Sequence, residues 1–422
     1  MPSPSMPGPS MPGPSVPDPS RRTVLATGSA LGGALLTPGL AGRATAADRP
    51  GPVADPWRTV LDDADLVWQR MPTAWYEGPF LGNGFLGSGI YAEPGAASTA
   101  VRFNIQHSEV QDHRPEFGSL FGLARLPIGY FTLEPVGAIT GVDWRLSLLD
   151  AELTGTLTTD KGTLTLRALV HNDRSVLAVE VTPTEGERGF RWVFHPADAI
   201  SPRAAFKPLP DGYQGNPSAQ VADHEGVTAA VQPLLSGGQH VTAWQERIRS
   251  RARTLYVHVA HSYPQTTALP RALKTIRTTA QLPYSTLAST HRAWWHAYYR
   301  KSFLSLPDAR IQRFYWIQLY KAASAARRDA PVMATSGPWL EPTPWPNTWW
   351  NLNAQLEYWL IHGSNHLELD AITRALSEFR DNLAAEVAQQ YRTDSLGIPR
   401  TTDPHLVNGS ASTLMGYGVA TP

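Results

Sequence analysis

The chain has no cysteine, so neither disulfides nor thiolate metal sites contribute to its stability, and packing must hold the fold. It also has no net charge: Lys plus Arg and Asp plus Glu stand at 36 each, with no basic block. That balance argues against a nucleic-acid or anionic-membrane partner. The run of small and apolar residues from Val24 to Leu40 is broken by glycines and by Pro38. It is short for a spanning helix, so no stable membrane anchor is expected. His107 and His113 lie six apart, which is no usual ligand spacing on a helix, and no metal or cofactor is implied. What the chain does have is aromatic side chains, 14 Trp and 14 Tyr. Aromatic rings stack on the apolar faces of sugars, so a neutral oligosaccharide or glycan is the favoured partner, although core packing accounts for most of the rings.

The first 20 residues repeat Met-Pro-Gly-Pro-Ser around Met6 and Met11, a composition that cannot bury a core. Ser20-Arg21-Arg22-Thr23-Val24-Leu25 follows, then the apolar run and Ala44-Thr45-Ala46. A twin-arginine pair, a short apolar region and a small-x-small site read as a Tat export signal, cleaved near Ala46. Residues 1–46 are therefore expected to be a disordered N-terminus and signal peptide, and the product to be secreted to the cell envelope or beyond. About 375 residues remain, enough for more than one domain.

Residues 55–280 read mostly as strand. Alternation is clear in Thr163 to Leu169, Val176 to Val181, Phe190 to Phe194 and Leu255 to Val259, with Gly, Pro and Asp between. Short strands at regular spacing over such a length predict a large antiparallel β-sandwich. The string Pro79-Phe80-Leu81-Gly82-Asn83-Gly84-Phe85-Leu86-Gly87 lacks the strand and helix frame of a nucleotide loop and fits a tight turn between strands. The polar cluster Asn104 to Arg114 reads as a solvated loop; the alternative is a loop that contacts sugar through Asp112 and Arg114.

The pattern then turns helical. Ser285 to Phe303, within 281–305, predicts a linker helix capped by Ser285, with Leu287, Trp294, Trp295, Tyr298 and Tyr299 as an aromatic face. In the region 306–422, Asp308 opens a helix apolar on two sides, Ile311, Phe314, Tyr315, Leu319 and Ala322 on one and Trp316 and Tyr320 on the other, which predicts packing between layers. A helix is expected to start near Asn351 to Asn353, and a long one to run from Asn365 to about Tyr391. Between them, Gly337 to Trp359 concentrates aromatic and amide side chains, and its prolines forbid a helix before about Asn347. Asn351 and Asn353 sit at the helix entrance. One of them fits the helix cap. In a chain still extended there, both project from one face and hold a water molecule or sugar hydroxyls without charge.

The Pro-Trp turn, Asn351-Leu352-Asn353 and Tyr358-Trp359 resemble the start of the catalytic barrel in glycoside hydrolase family 95, the inverting α-L-fucosidases. Pro79 to Gly87 looks like the signature near the start of that family's β domain. Glu357 stands where the family usually has asparagine, and Thr343 replaces a proline. The resemblance spans about Val67 to Gly397. It implies a β-sandwich followed by a linker helix and the first helices of an (α/α)6 barrel, a multidomain β-then-α fold. It also implies that Asn351 and Asn353 activate the attacking water. Trp345, Trp349 and Trp350 would wall the sugar pocket, and Glu357 would be salt-bridged or bind sugar. The barrel needs about twelve helices and an acid held about 6.5 to 9.5 Å from the base. The resemblance places that glutamate in a later helix, so the general acid is expected to be missing from this chain. A non-catalytic carbohydrate-binding protein or an inactive fragment is the alternative, and a phosphorolytic relative a third reading.

Overall fold

The computed structural model describes residues 55–340 and 342–408. The expected export signal at 1–46 lies outside the described residues, as do 47–54, Glu341 and the polar stretch 409–422. Helix α1 (Pro56–Ala64) starts at Pro56, with the Asp55 carboxylate accepting the Trp57 amide. Proline suits a first helical position because the amide it lacks would have no partner there. The strands are β1 (Leu66–Trp68), β2 (Phe80–Gly82), β3 (Leu86–Ala92), β4 (Val101–His107), β5 (Gly129–Glu134), β6 (Ile139–Ser147) and β7 (Glu152–Thr159). They continue as β8 (Thr163–Val170), β9 (Val176–Pro183), β10 (Arg191–Pro196), β11 (Gln220–Asp223), β12 (Thr228–Pro233), β13 (Gln239–Arg249) and β14 (Ala252–Ser262). Nine of them form one sheet in the order β1-β6-β7-β8-β9-β14-β13-β12-β11, and five form a second in the order β10-β5-β4-β3-β2.

All pairings within these sheets are antiparallel, and the expected large sandwich is present. In β8, Leu164 and Leu166 point into the core while Thr165 is exposed, the pattern of a half-buried strand. Ala168, Leu169 and Val170 are buried in succession, so the end of the strand is covered on both faces. The second cover is helical. Leu169, Val176, Ala178 and Tyr256 pack with Ala272, Ile276 and Leu287 in a separate apolar cluster. Ala272 and Ile276 lie on α2 (Ala268–Thr279), a helix where the sequence pattern continues the strands. Its buried Ala268, Ala272, Leu273 and Ile276 make one helical stripe, and burying that stripe on the sheet fixes the choice.

Helix α3 (Tyr284–Tyr299) supplies the expected aromatic face through Trp295, Tyr298 and Tyr299. Its cap position is Pro283, not Ser285, and no side chain caps it. Helix α4 (Ala309–Ala325) is capped by Asp308, which accepts from the amides of Arg310 and Ile311. Contrary to the expectation of two covered sides, only the Trp316, Leu319 and Tyr320 side is buried, while Ile311 and Phe314 are exposed. The short strand β15 (Thr348–Trp349) and α5 (Asn353–Gly363) follow. The expected long helix from Asn365 is divided into α6 (Ala371–Glu378) and α7 (Arg380–Ala385), with single 3-10 turns at Leu367–Leu369 and Gln389–Tyr391. Phe379 leaves the helical region at φ −104° and ψ 27°, and Asp370 restarts the ladder by accepting from the amides of Ile372 and Thr373. The last strand, β16 (Thr401–Thr402), pairs with β15. None of the described helices is long and apolar enough to cross a membrane.

Candidate functional site

The glycine-rich hairpin between β2 and β3 is a seat for later chain. Asn83 Oδ1 accepts from the amides of Phe85 and Leu86, and its Nδ2 donates to the carbonyls of His171 and Asn172. A side chain at Gly82 would place Cβ 2.4 Å from the Ser324 carbonyl oxygen. The Gly84 amide donates to that same oxygen at 2.8 Å. The edge carbonyls of β2 receive the Tyr320 hydroxyl at Phe80, 2.8 Å, and the Trp339 indole at Leu81, 3.0 Å. Close approach of protein backbone is thus what these glycines allow.

The proline and tryptophan segment is held from the same side. Arg125, fully buried, donates to the carbonyls of Gly337 and Pro338, both at 2.6 Å, and its pKa is pushed down to about 10 by burial. Asn347 Nδ2 donates to the carbonyls of Ser119 and Leu123. Neither residue stood out in the sequence; the available signal was an arginine inside Leu123-Ala124-Arg125-Leu126. Trp350 is 5 % exposed and its indole donates to Thr402 Oγ1 at 2.8 Å, which puts it in the core behind the segment. Trp345 and Trp349 are brought together edge to face, with centroids 6.1 Å apart and Trp345 half-exposed.

Asn351 and Asn353 are both partly buried, and neither side chain has a hydrogen-bond partner among the described residues. The chain between them is not extended. Leu352, at φ 74° and ψ −42°, turns it sharply and occupies the cap position of α5, with no side-chain cap. A positive φ on a bulky residue is a strained backbone held by its surroundings. Neither asparagine caps the helix.

Glu357 lies four residues after Asn353, on the same face of α5. Its Oε2 is buried without a partner. Burial pushes its carboxyl up to about 7, against a smaller opposing effect from the Thr335 hydroxyl. Of the two expected roles, salt bridge or sugar contact, the first finds no partner among the described residues; with no cation beside it, burial favours the neutral acid.

Asp112 and Arg114 lie elsewhere and are not solvated. Asp112 is fully buried, Arg114 is 7 % exposed, and the pair is joined at 2.5 Å. Arg114 also donates to the Gln214 carbonyl at 2.7 Å and lies over the Tyr213 ring. The solvated-loop expectation fails because these partners, 100 residues away along the chain, replace water. No hydrogen bond among the described residues joins Asp112 or Arg114 to 345–357.

No family model matches the chain, and no curated protein does. Among solved structures it is similar to a protein described as a kojibiose phosphorylase from human microbiome, with TM-score 0.54 and 12 % identity, over 78 % of this chain and 48 % of that one. A bacterial glucoamylase complexed with acarbose gives TM-score 0.36 at 11 % identity, over 82 % of this chain and 56 % of that one. A family GH92 alpha-mannosidase from Bacteroides thetaiotaomicron gives 0.38 at 9 %, over 85 % of this chain and 51 % of that one. The fold comparison rests on the first alone. The chain spans about half the length of these structures. Its sandwich followed by helices is thus an architecture found among carbohydrate-active enzymes.

Proposed function

We propose that the protein to which this sandwich and these helices belong is an exported glycoside hydrolase that cleaves α-L-fucosides, or a related α-L-sugar such as an L-galactoside, with inversion. The carrying observation is the pair of unpartnered asparagines flanking the strained Leu352, on a segment whose Trp345 and Trp349 stand together at the surface. Two amides that keep donors and acceptors free suit an attacking water and sugar hydroxyls. Trp345 and Trp349 wall the sugar, whereas Trp350 supports them from the core. Glu357 contacts sugar or water as a neutral acid. Asp112 and Arg114 act as a structural pair. Export through the twin-arginine signal is part of this reading, tested by fusing residues 1–46 to a reporter and replacing Arg21 and Arg22 by lysine.

In the complete protein, Asn353→Ala lowers kcat by a factor on the order of 100 or more, as for lost positioning of a nucleophile. Near-normal turnover defeats the assignment. The likeness to a phosphorylase favours a second reading, phosphorolysis by the same fold. Product analysis with and without phosphate separates the two, and saturable sugar binding without turnover in either condition would favour a binding protein.

A further inference from the structure

A cavity of about 520 Å³ lies between the sandwich and the helices, and none of its lining belongs to the segment 337–359. Sandwich residues Asn83, His107, Glu109, Asp173 and His258 face Arg271, Trp294, Arg327 and Asp329 across it. Its size suits one or two sugar rings, within the range usual for small-molecule sites.

The hydrogen-bonding character of the wall follows from the backbone partners of its histidines. His107 Nδ1 accepts the Glu109 amide at 3.3 Å, so the neutral ring carries its proton on Nε2. His258 Nδ1 donates to the Ser175 carbonyl at 2.8 Å, which leaves Nε2 as an acceptor. Burial lowers the pKa of both, keeping them uncharged at neutral pH. His107 is 5 % exposed, and no other described group engages its Nε2. The wall therefore offers a fixed donor and a fixed acceptor.

Charge narrows the ligand. Arg327 is spent on the carbonyls of Ala323 and Ala326, on Asn172 Oδ1 and on the Trp294 ring. Arg271 donates to the His261 carbonyl. The carboxylates of Asp173 and Asp329 already match these two guanidinium groups, and Glu109, its pKa raised by desolvation, adds no cation, so the cavity holds no net positive charge to draw an anion such as phosphate. Trp294 is stacked on Tyr298 and covered by Arg327, so it offers its edge and not a face. Recognition must come from hydrogen bonds, and acceptor-rich walls with neutral donors suit hydroxyl groups.

We propose that this junction cavity is a binding site for a neutral polyhydroxylated ligand of mono- to disaccharide size, separate from the Asn351 to Glu357 segment and independent of whether that segment is catalytic. The test is calorimetric titration of the chain with L-fucose, D-glucose and maltose in turn, and with inorganic phosphate. At least one sugar binds saturably, phosphate does not, and Asp329→Ala and Glu109→Gln each weaken the sugar at least tenfold. Asp329 is exposed at the cavity and glutamine keeps the shape of Glu109, so the fold tolerates these changes. Hydrogen exchange gives a second readout: the bound sugar slows amide exchange in 107–110 and 172–175. Asn353→Ala leaves the sugar-dependent protection of 107–110 and 172–175 unchanged, which separates this site from the proposed catalytic one. No saturable binding of any of the three sugars up to about 50 mM, well above a millimolar Kd, overturns the proposal. So does protection of 107–110 and 172–175 that survives both carboxylate variants, or that is lost in Asn353→Ala.

Discussion

Replacing Glu357 by glutamine should flatten one part of the dependence of stability on pH. Burial raises the carboxyl from 4.5 to about 7 in the folded protein. Between those values the unfolded chain gives up its proton while the folded chain keeps it. The stability due to the protonated group is thus fully present below pH 4.5 and is lost as pH rises through 7. A gap of that size corresponds to about 3 kcal/mol. Glutamine keeps the shape and never ionises, so whatever its amide costs is the same at every pH. The stability of Glu357→Gln relative to the parent should therefore rise by about 3 kcal/mol between roughly pH 4 and pH 8. Urea unfolding followed by tryptophan fluorescence, on both proteins across that range, measures the difference directly. Other titrating groups cancel in it. A difference that stays flat would refute the claim that Glu357 is held neutral by burial.

Asp112→Ala leaves the buried Arg114 guanidinium with the Gln214 carbonyl and the Tyr213 ring but no counter-charge, and should cost about 3 to 5 kcal/mol. Adding Arg114→Met should recover part of that loss in urea unfolding; simple additivity of the two changes would refute the pairing. Leu352→Gly removes an exposed side chain from a positive-φ position. Relief of about 1 to 2 kcal/mol of strain should outweigh the entropy of glycine, so the melting temperature should hold or rise. A marked fall would mean that the Leu352 side chain does more than tolerate its place. Gly82→Ala should destabilise by about 1 to 3 kcal/mol, because its Cβ meets the Ser324 carbonyl. Gly89→Ala, in the neighbouring strand with open space around it, should be close to neutral in the same thermal assay.

The sandwich was legible because one buried face writes a period of two into strands such as β8. Helix α2 was missed because its buried Ala268 and Ala272 are too small to register as an apolar stripe. The break at Phe379 was invisible for the opposite reason. Ile372, Leu376, Phe379 and Leu383 all pack on the core, so their spacing stays helical across a point where the backbone does not. At the site, the two asparagines were found by resemblance. Their geometry was not, because nothing in Leu352 announces a positive φ as a glycine would. The 107–114 segment, buried except at Glu109, was misread because a polar string normally means surface. What permits its burial is a set of distant partners, Gln214 for Arg114 and Asp403 for Gln111, that local sequence cannot reveal.

The hairpin at Gly82 and Gly84 also sets a clock. Its edge carbonyl at Phe80 waits for Tyr320, 240 residues further along the chain. At the usual pace of synthesis that interval lasts roughly 12 to 50 seconds. Throughout it, the nascent polypeptide carries an open sheet margin whose lid has not yet been made. The margin is only three residues long, which limits what another chain can pair with it. A pause in translation before residue 320 prolongs that interval, and the yield of folded protein becomes sensitive to where the ribosome slows.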